Sequence, residues 1–177
     1  MTGGALPEWL GTAAAPVRLV AEACFLAVLA ALSVIDFRIR RLPDRVVLPT
    51  LWAGLVLNAA GAFTTPAQAV LGAAAGYLSL WLLAALYGLR AGREVAAFGG
   101  GDLKLAAAIG AWFGLDALPA ALLVAFVAGS CAALPGLLSG RLRLDRSVPF
   151  GPALALGGAA VLFAGPSLAG ILLVGAR

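Results

Sequence analysis

The most informative segment of this 177-residue chain reads Phe98-Gly-Gly-Gly-Asp-Leu-Lys-Leu105. Its three glycines lead to Asp102 and Lys104, and an apolar run then continues to Leu115. Glycine has no Cβ and adopts backbone angles that other residues avoid, so the triplet predicts a bend that lets another group approach the carboxylate of Asp102. A negative charge is also favoured at a helix N-terminus, and the same pattern therefore fits an ordinary loop followed by a helix cap.

The composition is that of an integral membrane protein. Hydrophobic residues make up 63% of the chain and charged residues 11%, whereas a soluble domain holds about 45–50% and about 25% of these classes. The net charge of +4 comes from short basic clusters between apolar runs, a pattern typical of membrane topology rather than of a nucleic-acid-binding face. We therefore expect the lipid bilayer as a partner and no nucleic acid.

The residue types present exclude several kinds of catalytic site. The chain has no histidine, which excludes histidine-based triads and metal or haem sites held by histidine. Cys24 and Cys131 lie in apolar runs without a CxxC spacing, so neither a zinc knuckle nor a redox pair is predicted, and we interpret both as small packing residues. We expect no metal and no cofactor.

Six apolar runs predict an all-α membrane protein with about six transmembrane helices. A leader segment, residues 1–16, precedes a single membrane domain, residues 17–177. The fourth run is short for a full crossing, but treating it as a crossing gives a consistent topology. The predicted spans are 17–35, 46–60, 67–89, 105–115, 117–138 and 150–176.

The charged loops predict the orientation of these spans. Cytoplasmic loops of membrane proteins carry an excess of lysine and arginine. The loops after the first, third and fifth spans share one side of the membrane. The basic residues on the opposite side are only Arg18 and Arg177. The glycine segment is therefore predicted at the cytoplasmic face. The loop arginines on that side are Arg38, Arg40, Arg41, Arg45, Arg90, Arg93, Arg141, Arg143 and Arg146.

Small residues recur in two runs, 72–76 and 110–114. Their spacing suits close contact between helices, but small residues are also frequent in membrane helices generally. We interpret both runs as ordinary composition.

Two aspartates are predicted at the same cytoplasmic boundary. Asp36 ends the first apolar run and Asp102 begins the fourth. Like charges at short range cannot both ionise cheaply, so a close pair would share a proton and titrate as a unit. One carboxylate would then activate water, while the other protonates a carbonyl oxygen or a leaving amine. The alternative is structural: the two aspartates cap helices or pair with Arg38 and Lys104.

The same segments resemble a known family of enzymes. Residues 99–105 resemble the GxGD motif of the type IV prepilin peptidases, which are bacterial and archaeal intramembrane aspartic proteases. Asp36, with Arg-Leu-Pro-Asp at 41–44 after it, resembles the segment that carries the first catalytic aspartate of that family. Residues 108–114 and 148–152 resemble its closing segments.

The resemblance covers the chain from about residue 29 to about residue 157 and implies an intramembrane aspartic endopeptidase. It would remove the short basic leader of prepilin or pseudopilin precursor helices at the cytoplasmic face of the bacterial inner membrane, after a glycine. By position, Asp36 and Asp102 would be catalytic, and Gly99 and Gly101 would be the motif glycines. Lys104 would tune the pair or meet an acidic residue of the substrate, unless it only extends its ammonium group to the interface. The oligomeric state is left open.

One departure from that family changes the expected activity. Many bacterial members carry a cytoplasmic region with paired CxxC motifs that binds zinc, and these members are credited with methylating the new N-terminus. This chain contains neither the region nor its cysteines. We therefore expect cleavage without methylation.

Three other functions compete with this prediction. A transporter or proton-coupled subunit would use Asp36 and Asp102 in a polar path, but it predicts polar residues deeper in the spans, whose centres are almost wholly apolar. A non-catalytic assembly protein would bind pilin-like helices without cutting them, yet both aspartates are present. A GxGD protease with other membrane substrates fits the same residues.

Overall fold

The computed structural model describes residues 8–91, 99–138 and 150–164, which form six α-helices. Residues 1–7 of the predicted leader lie outside this part of the chain, and its residues from Glu8 onward belong to the first helix. Residues 165–176 of the sixth predicted span also lie outside the described residues. The helices are α1 (Glu8–Ile39), α2 (Asp44–Ala59), α3 (Pro66–Ala91), α4 (Gly100–Phe113), α5 (Leu118–Leu138) and α6 (Gly151–Ala164).

Three of these helices are long and apolar enough to cross a bilayer: Ala15–Ile39 in α1, Pro66–Arg90 in α3 and Leu118–Pro135 in α5. Their outer faces expose large hydrophobic side chains such as Trp81 and Val127. An exterior of this kind is stable only against lipid or other apolar surface. The all-helical class is confirmed, and the three long apolar helices fit an integral membrane protein. The number of crossings is not confirmed, because α2, α4 and α6 hold only 16, 14 and 14 residues.

The short helix α4 is the centre of the bundle. Ten of its 14 residues are buried, and it packs chiefly between α2 and α3, with further contacts to α5 and α6. Its Leu105 and Ile109 join a core with Leu29 and Leu32 of α1. The helix is apolar because protein surrounds it on most sides, and its first turn carries Asp102 into the interior of the molecule.

Helices α3 and α4 approach each other through small residues. A Cβ placed on Gly72 would overlap the carbonyl oxygen of Gly110, and a Cβ on Gly76 would overlap that of Ala106. Only glycine lets two backbones come so close. The interpretation of these runs as ordinary composition is therefore wrong, because Gly72, Gly76 and Gly110 allow α4 to seat against α3.

The conformation predicted for the glycine triplet is also wrong. Gly99 precedes α4 with extended backbone angles (φ −66°, ψ 147°), and Gly100 and Gly101 are its first two residues. None of the three has a positive φ. The triplet begins a helix instead of forming a bend, because glycine permits both conformations and the aspartate that follows stabilises the helical one.

The cysteines do not have the packing role predicted for them. Cys24 and Cys131 are free thiols, and both are exposed. Neither belongs to the buried hydrophobic core, although Cys24 lines a pocket between α1 and α2. An apolar run in a membrane helix does not distinguish core-facing from outward-facing positions.

Candidate active site

Asp36 lies in the last turn of α1, and its residue is only 4% exposed. The helix ends just beyond it, where Arg40 adopts a left-handed backbone (φ 52°) and donates its N–H to the Asp36 carbonyl oxygen at 2.8 Å. A left-handed conformation is unfavourable for a residue with a Cβ. Here it turns the chain sharply after α1, toward Leu42 and the start of α2.

Asp102 is the third residue of α4 and is 8% exposed. Its Oδ2 accepts the backbone N–H of Gly99 at 3.0 Å, and its own N–H donates to the Gly99 carbonyl oxygen at 2.9 Å. This is the position where an acidic side chain satisfies a free N–H at the start of a helix. Asp102 is therefore a helix cap, as the structural alternative predicts, and the question is whether its carboxylate also reaches a site.

Both carboxylates line one pocket of about 370 Å³. The structure thus brings together two aspartates that are 66 positions apart in sequence, along with the glycine triplet. The other lining residues come from the turn between α1 and α2. The complete lining is Asp36, Arg40, Arg41, Leu42, Gly99, Gly100, Gly101 and Asp102.

Gly101 allows the two walls of this pocket to meet. A Cβ at this position would lie 2.6 Å from the Cβ of Leu42 and 3.1 Å from its carbonyl oxygen. Gly100 has nothing within 4 Å of an added Cβ. The close contact at the glycine segment joins Gly101 to Leu42 in the turn between α1 and α2, whereas the sequence predicts an approach to the carboxylate of Asp102.

A second helix N-terminus reaches Asp36. Gly151, the first residue of α6, donates its N–H to Asp36 Oδ2 at 3.0 Å. Sequence reasoning compared residues 148–152 with a family segment but assigned no role to Gly151. The only signal in the sequence was its position at the start of an apolar run after a basic loop. Val148 and Pro149 lie outside the described residues.

Lys104 lies away from the pocket. Its Nζ contacts both carboxylate oxygens of Asp44 at 2.7 and 2.6 Å, which links α4 to the first residue of α2. The side chains are 33% and 54% exposed, respectively. The sequence alone does not predict this pair, because its two members are 60 positions apart. Among the residues that the structure describes, no cation lies within salt-bridge distance of Asp36 or Asp102.

The chemistry available to the pocket follows from these contacts. Each carboxylate accepts one backbone hydrogen bond from the described part of the chain, whereas an ionised carboxylate has about four acceptor sites. Two buried acids line this one pocket, and no cation of the described residues pairs with either of them. Such a pair can act as general base and general acid on one substrate.

Comparison with known proteins gives the family context. The model of the type IV leader peptidase family matches residues 23–134. The chain is 50% identical over 139 residues to a protein of Burkholderia pseudomallei (strain 1026b) named prepilin leader peptidase/N-methyltransferase, over 78% of this chain and 44% of that protein. Proteins with the same name from Dickeya chrysanthemi and Neisseria gonorrhoeae are 48% identical over 136 residues and 43% identical over 142 residues.

The matched region is limited in the relatives. For the proteins of Dickeya chrysanthemi and Neisseria gonorrhoeae, it covers 77% and 80% of this chain, but only 47% and 48% of their own length. This chain therefore spans about half the length of the curated relatives that it matches. No solved structure is significantly similar to it. The bacterial relatives and the three long apolar helices together indicate a bacterial membrane protein.

Proposed function

Because the chain belongs to the type IV leader peptidase family, we propose that it is an aspartic endopeptidase that removes the basic leader from prepilin-like or pseudopilin-like precursors. The observation that carries the proposal is the pocket shared by Asp36 and Asp102, which come from different helices and are both buried. Buried acids that no cation neutralises are costly to keep in a membrane protein unless they serve a function.

In the proposed reaction, the two carboxylates work as one unit. One of them, ionised, takes a proton from a water molecule that attacks the scissile carbonyl carbon, while the other gives its proton to the carbonyl oxygen. The proton taken from water then passes to the leaving amine as the peptide bond breaks, and a hydroxyl group of the intermediate returns its proton to the carboxylate that had donated one, which restores the pair. Gly99 orients Asp102 through its N–H, and Gly101 allows Leu42 to close the pocket wall.

The proposed setting is the inner membrane, with the pocket at its cytoplasmic face. Support comes from the basic residues at this end of the molecule, since Arg38, Arg40, Arg41 and Arg45 all lie in the last turn of α1, the connecting turn or the first turn of α2. In this arrangement all six helices cross the bilayer. Lys104 supports the pocket indirectly through Asp44. The proposal covers the peptidase step, although the relatives' name also includes N-methyltransferase.

The test is cleavage by the purified protein in lipid nanodiscs. The substrate is a synthetic precursor with a short basic leader that ends in glycine and is followed by an apolar helix. Mass spectrometry locates the cut, and Asp36→Asn and Asp102→Asn serve as shape-conserving variants. The proposal requires a cut after the glycine by the wild type and loss of cleavage in each variant at normal insertion. Absence of cleavage by the wild type on several such precursors would overturn it, and so would a variant with wild-type activity.

A further inference from the structure

The first residue of α6 meets Asp36 in a way that goes beyond ordinary packing. Gly151 is buried, follows Asp36 by 115 positions, and donates its N–H to Oδ2 of that carboxylate at 3.0 Å. The first N–H groups of a helix have no partner within the helix, and they lie at the positive end of its dipole. Asp36 occupies this position at the start of the 14-residue helix α6.

The identity of residue 151 follows from the same contact. A Cβ added to Gly151 would lie 2.7 Å from Oδ2, 3.0 Å from Cγ and 3.1 Å from Cβ of Asp36. The carboxylate therefore fills the space that any side chain at 151 would need. The reason for glycine is steric, since Gly151 is not among the residues with positive φ.

The two acids of the pocket are held in parallel ways. Asp102 Oδ2 accepts the N–H of Gly99, at the start of its own helix, and Asp36 Oδ2 accepts the N–H of Gly151, at the start of a distant one. Both bonds are 3.0 Å long. Within the described residues, each carboxylate thus has one oxygen fixed by a glycine N–H and its other oxygen left for a substrate or a shared proton.

We propose that Gly151 is a positioning residue for Asp36: its N–H fixes one carboxylate oxygen, and its missing side chain lets the carboxylate reach the pocket. The inference rests on the proposed function and extends it to a helix that contributes no side chain to the pocket lining. It makes the junction of α1 and α6 part of the catalytic geometry.

The first test compares two buried glycines of α6. Gly151→Ala displaces the Asp36 carboxylate, and displacements of about 1 Å cost about 100-fold in rate. Gly158→Ala is the matched control, because its Cβ would meet only side-chain atoms of Leu29 and Ile109 at 3.2 to 3.4 Å. We expect kcat for the precursor peptide to fall about 100-fold in Gly151→Ala with little change in KM. Gly158→Ala should keep kcat within about threefold of the wild type.

A second variant removes the hydrogen bond without adding an atom. Incorporation of glycolic acid at position 151 during cell-free translation replaces the amide by an ester, so that the N–H donor is lost and the shape is kept. We expect kcat to fall about tenfold, the order expected for one hydrogen bond to a charged group, in a protein that stays folded at the assay temperature. An ester variant with wild-type kcat would overturn the proposed role of the N–H.

A third measurement separates this inference from the proposed function. The rate at which a hydrophobic carbodiimide modifies Asp36, followed by mass spectrometry, reports on the carboxylate without any substrate. We expect modification of Asp36 to change at least about threefold in the ester variant while that of Asp102 stays constant. If the wild type cleaves no precursor, the proposed function fails but this result still tests the contact. Equal modification rates at Asp36 in both proteins would contradict the inference.

Discussion

At its C-terminal end, α4 is fastened to its neighbours by polar groups whose hydrogen bonds are complete, whereas at its N-terminal end Asp102 faces a pocket. Asn58 of α2 is fully buried beside the C-terminal end. Its Nδ2 donates to the carbonyl oxygens of Ala111 and Trp112 at 2.8 and 2.9 Å. Its Oδ1 accepts the N–H groups of the next turn, those of Phe63 and Thr64, at 2.9 and 3.0 Å.

Trp112 continues this pattern. Its Nε1 donates to the carbonyl oxygen of Thr50 at 2.8 Å, and its ring lies 4.4 Å from that of Phe25 between centroids. The last carbonyl groups of a helix have no partner within the helix. Here Asn58 supplies a hydrogen-bond donor for two of them, those of Ala111 and Trp112. This end of α4 holds the fold together and has no unused hydrogen-bonding capacity at Asn58.

The two ends differ in how their buried polar groups are satisfied, and we propose that this difference separates a structural polar group from a functional one in the same apolar bundle. Both ends bury polar side chains, and burial alone does not separate them. At Asn58 every donor and acceptor has a protein partner. At Asp36 and Asp102 one backbone N–H of the described residues reaches each carboxylate, and both residues line a pocket. We infer a chemical role where a buried polar group has hydrogen-bonding capacity without a protein partner and lies beside a pocket.

The largest effect is expected at Asp102. Asp102→Ala should lower cleavage of a precursor by about 10²- to 10⁴-fold, because it removes an acid–base group. It should also lower the free energy of unfolding by about 0.5–2 kcal/mol, because the cap on Gly99 is lost. Asp102→Asn keeps an acceptor for that N–H and should lose cleavage equally with a smaller loss of stability. Cleavage assays and melting temperatures in nanodiscs measure both, and an active Asn variant would contradict the distinction between the two ends.

The next effect is expected at Asn58 and concerns stability. Asn58→Ala leaves two carbonyl oxygens and two N–H groups without their partner, so the free energy of unfolding should fall by about 3 kcal/mol. Cleavage per folded molecule should stay near the wild-type value. Thr65→Ala is the exposed comparison, because Thr65 Oγ1 accepts only the N–H of Gln68 at 3.3 Å; its loss should cost about 1 kcal/mol or less. If Asn58→Ala instead loses cleavage per folded molecule, Asn58 would have a functional role, and the distinction between the two ends would fail.

A smaller effect is expected for the glycine that lets the pocket walls meet. Gly101→Ala should push Leu42 away from α4 and lower cleavage by about 10- to 100-fold. Gly100→Ala is the matched control on the preceding residue, where an added Cβ meets nothing within 4 Å. Because it displaces no wall of the pocket, it should lower cleavage far less than Gly101→Ala does, and it should raise stability by up to about 1 kcal/mol, since alanine favours the helix more than glycine does. Equal activities of the two variants would show that the contact with Leu42 does not matter.

The smallest effect is expected for the ion pair of Lys104 and Asp44. Lys104→Met should cost about 0.2–1 kcal/mol of stability, the range for exposed pairs, and should change cleavage only about threefold. The exchanged pair, Lys104→Asp with Asp44→Lys, should recover part of any loss. A 100-fold loss of cleavage at unchanged melting temperature, with no recovery on exchange, would instead place Lys104 in contact with the substrate.

The sequence predicted the helices well, because apolar runs separated by basic loops leave few other arrangements for a membrane chain. It also predicted that the ends of α1 and α4 lie on the same side, and the pocket that Asp36 and Asp102 share agrees with that topology. The lysine and arginine content of each loop predicts its side of the membrane, so this prediction does not depend on how far apart two loops are in sequence. Their catalytic role stays a prediction.

Contacts between helices were harder to predict. Asn58 is the only asparagine of the chain and lies within an apolar run, a signal that sequence reasoning passed over by treating the span centres as apolar. The partners of Gly151 and Lys104 depend on how helices distant in sequence pack, and local patterns do not specify packing. The glycine triplet misled for a physical reason, because glycine is compatible with both a bend and the first turn of a helix.

The most direct test of the distinction between the two ends of α4 measures cleavage and stability in the same preparations of Asp102→Asn and Asn58→Ala. We predict that Asp102→Asn loses cleavage and keeps its melting temperature within a few degrees, while Asn58→Ala melts several degrees lower and cleaves normally per folded molecule. Both variants losing cleavage in proportion to stability would contradict the account, because the two ends of α4 would then have the same structural role.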